Sequence, residues 1–168
     1  RLLAESNRMR KSALSMLEDQ QQTERENLRL LEEAKELEFF LRQSQQVGQI
    51  GGWRADPANN RVLWTEGVYT IVEVPQHSPQ HSRLDLETAL DCYLAESRSA
   101  VREHLQRSRT TGESFAIQVQ VRGAQSGVTK WCELRGQPHF DTCGRIDYLV
   151  GPLQDITRLK QAADEIQR

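Results

Sequence analysis

The chain has 168 residues with 22 basic and 24 acidic side chains, a net charge of −2, so no global field favours nucleic acid or an anionic membrane. No run of about eighteen apolar residues occurs, which excludes a membrane-spanning helix from these residues. Cys92, Cys132 and Cys143 form an odd set without CxxC spacing, which argues against a disulfide framework and a zinc site and for a reducing compartment, the cytoplasm by default.

The first forty-seven residues are predicted to be one helix. All 10 glycines lie at or after Gly48 and all 5 prolines at or after Pro57, and Thr23 is the one β-branched residue before Val47. Leu, Glu, Gln, Arg, Ala and Ser fill the rest, side chains that lose little freedom in a helix. A helix of that length, about 70 Å, needs a partner. Leu2, Met9, Met16, Thr23, Leu30 and Leu37 recur at sevens, and Ser6, Ala13, Gln20, Asn27, Ala34 and Leu41 occupy the position four residues on. The seam of Leu2, Met9, Met16, Gln20, Asn27, Leu30, Leu37 and Leu41 predicts a parallel homodimeric coiled coil; polar Gln20 and Asn27 fix register and keep it from being over-stable. Glu32, Glu33, Glu36 and Glu38 read as a solvated face with Arg29, Lys35 and Arg42 as partners. A bundle or hairpin helix is the alternative.

From Gly48 the pattern changes. Residues 51–57 and 61–64 read as two short strands joined by the Pro57-Ala58-Asn59-Asn60 turn. Glu66 to Val74 is predicted as a short helix and Pro75 to Ser82 as a loop. Leu84 to Tyr93 and Ala95 to Arg109 carry helical spacing, with Gly112 as the stop. Phe115, Ile117, Val119 and Val121 alternate with polar residues, a half-buried strand. Gly123 to Gly127 is a turn, Val128 to Phe140 a strand and Asp141 to Gly144 another turn. Ile146 to Leu153 is a third strand, apolar on both faces. The order β-β-α-α-α-β-β-β predicts an α+β domain, a five-stranded antiparallel sheet with helices on one face. Thr157 to Arg168 returns to helix, with Ile156, Leu159, Ala163 and Ile166 at coiled-coil spacing. The expected domains are 1–47, a coiled-coil helix; 48–156, the α+β domain; and 157–168, the start of a C-terminal helix that would lead to a further domain.

Catalytic and metal motifs are not evident. His77 and His81 have i, i+4 spacing, but Pro75 and Pro79 make a continuous helix improbable and no third ligand is apparent, so no metal site is assigned. No phosphate loop, nucleophile elbow, dinucleotide fingerprint or zinc-protease motif occurs, and this piece is not read as an enzyme. The three cysteines are expected to be small buried or half-buried hydrophobes.

Several motifs then occur in a fixed order. Arg109-Thr110-Thr111-Gly112-Glu113 precedes an alternating strand, followed by Gly127-Val128-Thr129-Lys130-Trp131, the turn Asp141 to Gly144, and Gly151 four residues before Asp155-Ile156-Thr157. Gly51 to Arg168 resembles, in residue type and spacing, a PAS domain with a PAC-type ending, as found in bacterial sensor proteins. The resemblance implies that Asp155, Ile156 and Thr157 form the hinge passing sheet movement to an effector; independently, Asp155 or Thr157 can cap the exit helix. Flavin-binding relatives carry an Asn-Cys-Arg-Phe run, where this chain has Asp91-Cys92-Tyr93-Leu94. The haem-ligand position falls near Val101, so His104 reads as a surface or packing residue. The chain thus has no haem or flavin signature and its cofactor is left unassigned. Tyr93 to Arg98 also replaces the family's His-Pro-x-Asp-like turn.

A sensory domain needs a cavity between sheet and helices. The candidate lining is Trp64, Tyr69, Ile71, Leu90, Phe115, Ile117, Leu134 and Leu149, with Gly151 leaving room for a ligand or for close packing. The expected function is sensing and signal transmission in a cytoplasmic region of a larger dimeric sensor. Its chain begins at Arg1 without Met or a signal peptide and is read as a piece of a longer protein, compatible with a membrane-anchored parent. The effector in the same chain would be a histidine kinase or a diguanylate cyclase, and neither nucleic acid nor membrane is expected to touch this piece. The alternative is a ligand-free dimerisation scaffold.

Overall fold

The computed structural model describes residues 1–76 and 84–167; His77 and His81 lie outside the described residues. Helix α1 runs over Leu2–Gly48, and the chain divides into two compact units, Arg1–Ser44 and Gln45–Arg168.

The first unit is helix throughout, as its lack of chain breakers dictates. Leu2, Met9, Met16, Leu30, Leu37 and Leu41 are all exposed, from 84% at Leu2 to 50% at Leu41. Leu14, Leu17, Leu28 and Leu31 are exposed as well, so the apolar stripe is broader than the two heptad positions read from the sequence. Glu38 with Arg42 (3.3 Å) and Arg29 with Glu33 (3.9 Å) form i, i+4 pairs, each contributing a few tenths of a kcal/mol.

The second unit contains β1 (Ile50–Asp56), β2 (Arg61–Trp64), α2 (Glu66–Val72), α3 (Leu86–Leu90), α4 (Ala95–Thr111), β3 (Phe115–Arg122), β4 (Thr129–Phe140), β5 (Ile146–Asp155) and α5 (Thr157–Gln167). The five strands form one antiparallel sheet in the order β2-β1-β5-β4-β3. The alternation in the sequence becomes alternation in burial. Trp53 and Ala55 of β1, Val119 and Val121 of β3, Cys132 and Leu134 of β4, and Leu149 and Leu153 of β5 form the core with α2, α3 and α4. β5 does not bury both faces as expected: Leu149 and Leu153 are buried, whereas Tyr148 and Val150 are half-buried and Pro152 is exposed. On that side the Arg54 guanidinium lies 3.7 Å from the centre of the Tyr148 ring, which stacks on His139.

Helix α3 is shorter than the predicted Leu84 to Tyr93, for a non-local reason. Its ends are claimed by the sheet: Leu84 bridges Val62 and Tyr93 bridges Val121. Asp85 caps what remains, accepting the Thr88 N–H at 2.8 Å, and hydrogen bonding from the Thr88 side chain and then its N–H holds the Asp85 carboxyl below the usual range. Helix α4 runs two residues past the predicted end and stops at Gly112, whose φ of 76° is the left-handed turn favoured by glycine.

These connections also cover the sheet's edges. At β3 the Leu94 N–H donates to the Gln120 carbonyl (3.0 Å), the Arg122 N–H to the Cys92 carbonyl (3.0 Å) and the Gln120 N–H to Ser97 Oγ (2.8 Å). At β2 the Val62 N–H donates to the Leu84 carbonyl (2.8 Å).

Candidate functional site

At the end of β5, strand gives way to helix through Asp155, Ile156 and Thr157. The Asp155 carboxylate accepts the Thr157 N–H (3.0 Å) and the Thr157 hydroxyl (2.6 Å), so Asp155 satisfies a free donor at the start of α5. Thr157 has a different task. Its hydroxyl oxygen accepts the Trp131 N–H of β4 (3.0 Å), and the Ile156 N–H donates to the Trp131 carbonyl (2.8 Å). Ile156 is buried, and the Asp155 N–H donates to the Gln49 carbonyl (3.0 Å). One helical turn on, the Lys160 ammonium lies 3.5 Å from the centre of the Trp131 ring.

Trp131 therefore meets the exit helix three times, through its N–H, its carbonyl and its ring. Sequence reasoning placed Trp131 in a motif but gave it no role, and it named Lys160 nowhere. The available signal was the pairing of a tryptophan on the neighbouring strand with a basic residue in the exit helix's first turn. The helix leaves Leu159 (66%) and Ile166 (85%) exposed.

The interior was the second expected site, and it is nearly filled. A cavity of about 30 Å³, room for about one water, lies between sheet and helices; Trp64, Leu90 and Leu134 line it, three of the residues named from the sequence. Tyr69 packs edge-on against Trp64 at 5.3 Å, and burial pushes its hydroxyl pKa up. Ile71 is buried and does not line the cavity; Phe115 packs at a tilt against Trp53 (6.3 Å between ring centres), and His104 packs at a tilt against Phe115 with its Nδ1 hydrogen-bonded to the Ala100 carbonyl at 2.8 Å. Ile117 packs against the core on β3, and Leu149 lines an open cleft of about 640 Å³ that adjoins the small cavity and shares Ala55, Val62, Leu86 and Leu105 with it.

Gly151 gives its space to the protein itself. A Cβ there would stand 1.9 Å from the Arg135 carbonyl oxygen, and that oxygen accepts the Trp53 indole N–H at 3.1 Å. The indole of β1 thus reaches past β5 to β4, across a residue with no side chain. Trp53 is only 7% exposed, and the space beside Gly151 is filled by the Arg135–Gly136 backbone of β4.

The cysteines have separate environments. Burial pushes the Cys92 and Cys132 thiols up to about 12. Cys143 departs from the expected burial: it is exposed in the β4–β5 turn, its N–H donating to Asp141 Oδ1 (2.9 Å). Among the described residues no group of three or more His, Cys, Asp or Glu side chains is placed to hold a metal ion.

A family described as the PAS fold matches residues 61–152, more than half of the chain, and the chain belongs to it. Among solved structures it is similar to a sensory box histidine kinase/response regulator from Burkholderia thailandensis E264, at 20% identity over 76% of this chain and 92% of that one, with TM-score 0.56. It is also similar to the N-terminal domain of a diguanylate cyclase with PAS/PAC sensor from Marinobacter aquaeolei, at 14% identity over 66% of this chain and 98% of that one, with TM-score 0.58. At these identities the likeness is one of fold. No curated protein is a significant match. The domain is a PAS sensory domain, and no helix among the described residues is long and apolar enough to cross a membrane.

Proposed function

We propose that the chain is the sensory and transmission region of a larger dimeric signalling protein, with Asp155, Ile156 and Thr157 as the hinge between sheet and effector. The observation that carries this reading is the triple attachment of the exit helix to Trp131. A shift of β4 against β5 strains two hydrogen bonds and a cation–π contact at once, and the helix must follow or let go.

In this reading residues 1–47 bring an input through a homodimeric coiled coil, 48–156 add or relay a second, and 157–168 begin the linker to an effector in the same chain. Exposure of the seam from Leu2 to Leu41 supports the coiled coil, because such an apolar stripe on a long helix calls for a partner. The two similar structures, from a histidine kinase and a diguanylate cyclase, support an effector of one of those kinds; the compartment that suits either is the cytoplasm.

The test is Asp155→Ala and Thr157→Val in the full-length parent, with kinase or cyclase output measured against stimulus. Altered coupling at retained fold is expected. A change confined to unfolding free energy would reduce the junction to a helix cap.

The nearly filled interior favours a second reading, a ligand-free dimerisation scaffold. Native mass spectrometry separates the two: a dimer carrying a non-covalent small molecule supports sensing, and a bare dimer favours the scaffold. A monomer at micromolar concentration would sink the coiled coil in both.

A further inference from the structure

The interior has room for about one water, yet the open cleft beside it encloses about 640 Å³, within the range of small-molecule sites. One wall is the β1–β2 hairpin and the other is α4. Its apolar lining comes from Val62, Leu105 and Leu149, and three arginines stand around it: Arg61 from the hairpin, and Arg102 and Arg109 from α4. Arg102 and Arg109 are seven residues, two helical turns, apart, so they lie on one face of α4 with Leu105 between them.

The three guanidiniums are not equivalent. Arg102 holds Glu87 with two N–H···O bonds of 2.7 and 3.1 Å and is neutralised there. Arg61 and Arg109 make no ion pair and no side-chain hydrogen bond among the described residues. Asp56, the one carboxylate of the lining, accepts a bond from Asn59 (2.8 Å). In a chain of net charge −2, the cleft therefore presents two free planar donor forks, one from each wall, above an apolar floor. A guanidinium fork matches the paired oxygens of a carboxylate or a phosphate, and the floor suits a hydrocarbon body.

We infer that this cleft binds an amphipathic organic anion, its oxyanion head on Arg61 and Arg109 and its apolar body against Val62, Leu105 and Leu149. The inference rests on the sensory reading and names the ligand class for it. Binding here would bridge α4 to the hairpin whose β1 pairs with β5, the strand that ends at the exit junction.

The experiment is titration calorimetry of the full chain with octanoate, octyl phosphate and octan-1-ol, repeated on Arg61→Ala, Arg109→Ala and the double variant. Both arginines are exposed, so the variants should fold, which circular dichroism verifies. The expected result is saturable binding of at least one anion, weakened about tenfold or more by the double substitution, with octan-1-ol binding weakly and equally to all variants. The two anions distinguish a carboxylate from a phosphate head. Absence of binding by either anion at millimolar concentration, or equal binding to the wild type and the double variant, would overturn the inference. Failure here leaves the transmission reading standing, since that is decided by Thr157→Val in the parent.

Discussion

Replacing Gly151 by Ala would set a methyl group 1.9 Å from the Arg135 carbonyl oxygen, and the strands must part to admit it. The expected cost is about 2–3 kcal/mol, read as a lower urea midpoint, together with a red-shifted Trp53 emission as the indole loses its partner. An unchanged midpoint would mean that the close approach is not made. The thiols give a pH dependence with a definite sign. Because burial raises Cys92 and Cys132 from 9.0 to about 12, the folded chain keeps two protons that the unfolded chain releases in that window. Their stabilisation is complete below about pH 9 and is lost as pH rises toward about 12, with each thiol contributing a slope of up to about 1.4 kcal/mol per pH unit. Tyr93, also raised by burial, acts in the same direction at the alkaline end. Unfolding free energy measured from pH 7.5 to 10.5 should fall, and Cys92→Ala should make the fall shallower; a flat profile would contradict the burial. In the native protein Ellman's reagent should label Cys143 alone. These residue-level facts were only partly legible. Trp53 stood in plain view beside two glycines, but its indole finds its partner in the Arg135 carbonyl, eighty-two positions away, and no local pattern announces that pairing.

At the scale of elements, periodicity and chain breakers placed every strand and helix of the second unit near its observed position, because each has a short-range cause. Gly112 stops α4 and alternation fixes β3. What failed was length at α3, where bridges from β2 and β3 take its terminal residues, and these are contacts between distant segments. The exit helix invites a sharper test. Thr157→Val removes the acceptor for the Trp131 N–H and should cost about 1 kcal/mol; Lys160→Ala removes the ring contact and should cost about 0.5–1 kcal/mol. Both act through Trp131, so the double variant should lose less than the sum in urea unfolding. Strict additivity would show two independent contacts in place of one latch.

At the scale of the whole molecule, the heptad spacing predicts self-association but cannot set its strength, since strength depends on how many of the flanking Leu14, Leu17, Leu28 and Leu31 the partner covers. If the proposed coiled coil forms, Asn27→Leu should strengthen self-association, lowering the dissociation constant in sedimentation equilibrium by about tenfold, and should lock output in the proposed parent. An unchanged constant would place Asn27 outside the seam. The covered sheet edges settle a different matter. With Leu94, Cys92 and Ser97 hydrogen-bonded along β3 and Leu84 along β2, the stretch of β3 edge outside these bonds is short, at Ala116 and Gln118. Few main-chain groups are then left to template the stacking of one chain's strand on another's. Concentrated solutions of this protein should therefore resist growth of cross-β fibrils, and thioflavin fluorescence should stay low until heat or denaturant lifts the α3–α4 connection off β3.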